Sequence, residues 1–181
     1  MFRQRVSLSC LITVFLILSL TGQFSSAVSP ASLRTVYIYN FIKHIQWPDE
    51  DKRSEWLVGF YPSQPELENI LRNETRDRTV RGKGIRVTRY DDLRQATAAD
   101  LLVVGRQYNT ELREISSSLA NSQTLIVTDQ ADDNLHIMIN FVQSQDNTLG
   151  FEINVDAAQR QQLRVSAQVL KIARPLRDGD R

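Results

Sequence analysis

The chain has 181 residues, with 22 Lys and Arg against 21 Asp and Glu, a formal charge of +1. Such a balance gives no support for nucleic acid or an anionic membrane surface as a partner. Cys10 is the only cysteine and 41% of the residues are hydrophobic, so one domain of this length can build a core without disulfides.

Arg3 and Arg5 precede an apolar run from Val6 to Leu20, and Ser25-Ser26-Ala27 places small residues where a signal peptidase reads. The run is shorter than the roughly 20 residues of a membrane span. Residues 1–27 are therefore expected to be an export signal cleaved after Ala27, with an uncleaved anchor as the alternative. Cys10 lies inside the run, not at its end, which argues against lipidation. The mature chain, 28–181, is expected to be one cysteine-free domain in the periplasm.

From Ser32 to Gln46, Leu33, Val36, Tyr37, Phe41 and Ile45 form one helical face, and Ile38 and Ile42 add a second stripe. A helix apolar on two sides is expected to be covered on two sides, by its own sheet and by a second copy of the chain. Ile38 and Ile42 are thus candidate homodimer contacts. Trp47-Pro48 ends the helix, because proline pushes the preceding residue out of helical geometry.

Short apolar runs follow at Trp56 to Tyr61, Ile85 to Val87, Leu101 to Gly105 and Leu125 to Thr128. Leu101-Leu102-Val103-Val104 does not alternate, as expected of a strand covered on both faces. Glu66 to Leu71 and Glu111 to Leu119 have helical spacing. Strand, helix and strand in repetition predict an α/β fold with a mainly parallel sheet and right-handed crossovers. Toward the end, Leu135, Ile137, Ile139 and Phe141 alternate, as do Leu149, Phe151, Ile153 and Val155. The two runs predict an antiparallel hairpin around Gln143 to Asn147. Ser166 is expected to cap a terminal helix carrying Val169, Leu170 and Ala173, which Pro175 stops.

Chemistry is sparse. His44 and His136 lack metal-ligand spacing, no Gly-x-Ser-x-Gly elbow is present, and Gly82-Lys83-Gly84 reads as a turn between extended segments. No cofactor is expected, and no enzymatic activity. Arg72, Arg76, Arg78, Arg81 and Lys83 against Glu74 and Asp77 make the most basic stretch, read either as a solvated loop or as a docking patch for an acidic partner. In open α/β sheets ligands sit at the carboxyl ends of the strands. Tyr61, Arg106 and Asp129 fall there, and Arg106 with Asp129 is the candidate clamp for a small zwitterion.

Three segments together carry a family likeness: Tyr37-Ile38-Tyr39-Asn40-Phe41-Ile42-Lys43-His44-Ile45-Gln46-Trp47-Pro48, then Phe151-Glu152-Ile153-Asn154, then Leu163-Arg164-Val165-Ser166 with Val169-Leu170-Lys171-Ile172-Ala173. In this order they resemble the YfiR family of bacterial periplasmic regulators. The resemblance implies a non-enzymatic, Rossmann-like protein, often dimeric. Such a protein binds the periplasmic sensor domain of an inner-membrane diguanylate cyclase and holds it inactive, lowering cyclic di-GMP and biofilm growth. It also implies an outer-membrane lipoprotein as a second partner. Redox-responsive members carry disulfide-forming cysteines, which the mature chain lacks. Alternation sends Phe151 and Ile153 to the core, leaving Tyr39, Trp47, Glu152 and Asn154 as candidate partner-binding residues. The alternative reading is a periplasmic small-molecule receptor built on Tyr61, Arg106 and Asp129.

Overall fold

The computed structural model describes residues 29–176; the expected export signal, with Cys10 and Ala27, lies outside them. Ser29 opens the first helix, its hydroxyl accepting from the Ser32 N–H at 3.1 Å with Pro30 behind it. This satisfies one of the orphan donors of a helix start. In chain order the elements are α1 (Pro30–His44), β1 (Ile45–Gln46), β2 (Glu55–Tyr61), α2 (Pro65–Thr75), β3 (Thr79–Val80), β4 (Lys83–Arg89), β5 (Leu101–Val104), α3 (Leu112–Ser118), β6 (Leu125–Asp129), β7 (Ile139–Gln143), β8 (Leu149–Asn154), α4 (Val155–Arg160), β9 (Arg164–Val165), α5 (Ala167–Leu170) and β10 (Arg174–Leu176).

The main sheet runs β10-β8-β7-β6-β5-β2-β4-β3, and β1 pairs with β9 apart from it. From β4 through β7 all neighbours are parallel, and β8 turns back antiparallel on β7. The mainly parallel α/β architecture with a closing antiparallel hairpin is therefore as expected. The chain leaves β2 on one side for β4 and returns on the other for β5, so the winding reverses between β2 and β5.

Register and alternation put Trp56, Val58, Phe60, Leu101, Val103, Leu125, Val127, Ile139, Phe141, Phe151 and Ile153 on one face. α1 packs on that face. Tyr37 and Phe41 of α1 meet Phe151 edge-on, with ring centroids 5.1 and 5.0 Å apart. Such geometry is worth about 0.5–1.5 kcal/mol per pair beyond area burial.

The structure corrects the reading of the second stripe. Ile38 and Ile42 are fully buried within the subunit, because α1 is flanked by α2 as well as by the sheet. They cannot reach a second copy.

Three further corrections concern the end of the chain. The hairpin's first strand starts at Ile139 rather than Leu135, since the Asp133 carboxylate accepts from the N–H groups of Leu135 and His136 at 3.0 and 3.1 Å. That local turn competes with strand pairing. The terminal helix spans only Ala167–Leu170, and Ser166 gives it no side-chain cap. Pro175, expected only to stop a helix, sits in β10 beside Ile153, at a sheet edge where a missing N–H is tolerated.

Candidate partner-binding surface

The Phe-Glu-Ile-Asn strand is mostly an internal device. Asn140, wholly buried on β7, accepts from Thr128 Oγ1 and from the Ala131 N–H, each at 3.0 Å, and donates to Glu152 Oε2 at 3.2 Å. Glu152 is half-buried and serves as acceptor for that amide. Asn154 is also wholly buried; its Oδ1 accepts from the Ala157 N–H at 2.8 Å and its Nδ2 donates to the Asn134 carbonyl at 2.7 Å. It is the N-cap of α4. This corrects the expectation that Asn154 is partner-binding surface: buried polar groups must be paired, and here the pairing is local.

Trp47 is likewise internal. Its Nε1 donates to the Asp100 carbonyl at 3.2 Å and its ring lies 5.2 Å from that of Trp56. Asp100 in turn takes Arg53 Nε at 2.6 Å and the Leu57 N–H at 2.8 Å. The Trp-Pro end of α1 is thus tied to the start of the sheet, and only 4% of Trp47 is exposed.

Tyr39 of the original four remains partly accessible. With Val36 and Ile70 it lines an apolar groove of about 230 Å³ between α1 and α2, with Arg78 5.7 Å above its ring.

The strand-end crevice does not assemble as expected. Asp129 is held by Arg34, whose Nη2 donates to both carboxylate oxygens at 3.0 and 3.2 Å. Asp129 shares the face covered by α1, so Arg34 reaches it first. Tyr61 packs against Tyr108, ring centroids 4.9 Å apart and tilted by 41°, and burial, then Tyr108, pushes its hydroxyl above the ordinary phenol range. At the winding reversal itself a Cβ on Gly105 would come within 2.7 Å of Gln107 and 2.9 Å of Pro62, so that point is filled. Arg106 instead borders a separate polar hollow of about 530 Å³ with Gln130, Asp132 and Gln143.

Among the described residues no three His, Cys, Asp or Glu side chains cluster as a metal site, and no helix is long and apolar enough to cross a membrane. His136 lies in the Asp133 turn, Nδ1 at 2.7 Å from the carboxylate.

What the sequence reading missed is at α5. Leu170 and Ile172 are 41% and 62% exposed. Ile172 lines a groove of about 350 Å³ with Tyr37, Asn40 and His44 of α1, Phe151 and Val169. In a long terminal helix Leu170 would have belonged to a buried stripe. Because the helix is four residues long, Val169 turns inward and Leu170 is left facing outward. An exposed aliphatic side chain on a groove with an aromatic floor forms a contact surface of the kind partners bury.

A comparison with curated proteins gives no match. The profile of the YfiR/HmsC-like family matches residues 31–174, from the first turn of α1 to the first residue of β10, and the chain belongs to this family of regulators of diguanylate cyclase signalling.

Proposed function

We propose that this chain is a periplasmic, non-catalytic regulator that binds the sensor domain of an inner-membrane diguanylate cyclase and holds the enzyme inactive, so lowering cyclic di-GMP and biofilm formation. Family membership supports the signalling context. The single observation that carries the binding role is Ile172, exposed on the α1 groove, with Leu170 exposed two residues before it. Repression requires the partner's inactive state to be bound better than its active state, since equal affinity shifts nothing. A near-complete shift needs about 5.5 kcal/mol of preference, and a few well-buried apolar anchors suffice for that. A homodimer and capture by an outer-membrane lipoprotein belong to the same reading.

The test is the cell. Deleting the gene should raise cyclic di-GMP, the exported wild type should restore it, and a Leu170→Glu/Ile172→Glu variant that melts like the wild type should not. Restoration by that variant would remove α5 from the contact; unchanged cyclic di-GMP on deletion would reject the repressor role. The second reading, a small-molecule receptor, is favoured by one observation, the polar hollow with Arg106 on its rim. Tyr61 and Asp129 are not part of that hollow.

A further inference from the structure

β4 stands one strand from the end of the main sheet, and its only outer neighbour, β3, pairs with Lys83 and Gly84 alone. The Tyr90 N–H donates to the Phe60 carbonyl at 2.9 Å. Because peptide groups alternate along a strand, the N–H and C=O groups of Arg86 and Thr88 then also face β2, and those of Ile85, Val87 and Arg89 face outward. The pairing of Thr79 with Gly84 turns the Ile85 N–H onto the Arg78 carbonyl, and no described strand covers the groups of Val87 and Arg89. Here is a row of donors and acceptors at the spacing of an extended chain, which sheets ordinarily hide or block.

Charge is segregated at the same place. Residues 72–89 hold seven Arg and Lys against two carboxylates, while the whole chain has a formal charge of only +1. Cations stand on both sides of the edge strand: Arg86 points to one face and Lys83 and Arg89 to the other. Arg86 touches Glu55 at 2.8 Å and Arg89 touches Asp91 at 3.7 Å, with the arginine side chains 60% and 55% exposed. Ion pairs so exposed are weak and exchange readily for a competing carboxylate. Lys83 has no carboxylate within ion-pair distance among the described residues.

We propose that the outer edge of β4 docks an extended acidic segment of a partner protein, which joins the sheet as an added strand. The open peptide groups of Val87 and Arg89 supply the ladder, and Lys83, Arg86 and Arg89 select acidic side chains on both faces. A second copy of β4 is the wrong occupant, because it would set these cations against one another. A membrane would use the charge and leave the ladder groups unpaired. The site is independent of the cyclase reading, since Leu170 and Ile172 lie near β10 at the far end of the sheet.

The experiment is amide hydrogen exchange, followed by NMR on the purified protein with a peptide of alternating Glu and Val. The amides of Val87 and Arg89 should exchange fast in the free protein and slow about tenfold or more with peptide, as forming a ladder bond requires, while Ile85, Arg86 and Thr88 stay protected throughout. The corresponding Lys and Val peptide should have no effect. The substitutions Lys83→Ala and Arg89→Ala together should weaken the acidic peptide about tenfold, the sum of two modest charge contacts. Absence of slowing at the two open amides overturns the proposal, as does equal slowing by both peptides. Binding of phosphatidylglycerol vesicles without any peptide effect also overturns it, in favour of a membrane patch.

Discussion

Gly59 and Tyr90 show how narrow the tolerances are at single positions. A Cβ on Gly59 would fall 2.4 Å from Tyr90 Cε2 and 3.2 Å from Leu102 Cδ1. Gly59→Ala should therefore cost about 1–3 kcal/mol, the usual penalty of overpacking, read as a shift in the urea midpoint. Burial raises the Tyr90 hydroxyl above its ordinary value of 10.0, with Arg86 opposing as the second influence. The folded protein thus holds this proton more tightly than the unfolded chain does. Its contribution to stability is whole below about pH 10 and is lost as pH rises through the folded-state value. Urea midpoints from pH 9 to 11.5 should fall less for Tyr90→Phe than for the wild type; equal falls would mean that Tyr90 is hydrated. Phe151→Ala removes the ring on which Tyr37 and Phe41 both pack and should cost about 3–5 kcal/mol.

At the scale of elements, the β3–β4 turn offers a sharp test. Arg81 and Gly82 both have positive φ, 50° and 78°, the pattern of a two-residue hairpin turn whose twist matches its strands. Arg81 tolerates this while bound to Glu50 and to the Lys43 carbonyl, with its guanidinium 4.6 Å over Trp56. Space is free around Gly82, so Gly82→Ala should cost about 1 kcal/mol purely through backbone conformation, measurable as a lower melting temperature with an unchanged circular dichroism spectrum.

Sequence pattern revealed the elements whose signal is local. The non-alternating β5 and β6 are buried on both faces, the alternating β8 is buried on one, and Gly82-Lys83-Gly84 lies at a turn, each for the reason its residues state. Three features were not legible because they depend on distant groups. β10 exists only because β8 offers a free edge, the second stripe of α1 is buried only because α2 lies beside it, and the amide of Asn154 is satisfied in the interior only because the Asn134 carbonyl comes to it, its cap on Ala157 being local. The candidate surface at α5 was hidden for the same reason, since the length of that helix is set by β10 taking over the chain.

Across the whole molecule, stability should not depend on redox state, because Cys10 is the only cysteine and the core is made of packed side chains. Melting of the protein lacking residues 1–27 should coincide with and without reductant. A shift would show that a thiol chemistry other than that of the sequence is present. The sheet also separates the two proposed contacts. With neighbouring strands about 4.8 Å apart, β10 and β4 stand roughly 30 Å from each other, so substitutions at one end should leave the other's affinity unchanged.

The filled reversal between β2 and β5 has a consequence in time. Where other α/β sheets leave that notch for a small ligand, here Pro62 and Gln107 crowd Gly105. A metabolite that diffuses in and out of such a notch lets a cell reset a receptor within moments of a concentration change. A protein that works through its rims resets only as fast as its partners let go, and the lifetime of a protein contact is governed by its dissociation rate. On the proposed reading, the response to a releasing signal should lag by the residence time of the complex at α5, and variants that shorten that residence should quicken the rise of cyclic di-GMP in step.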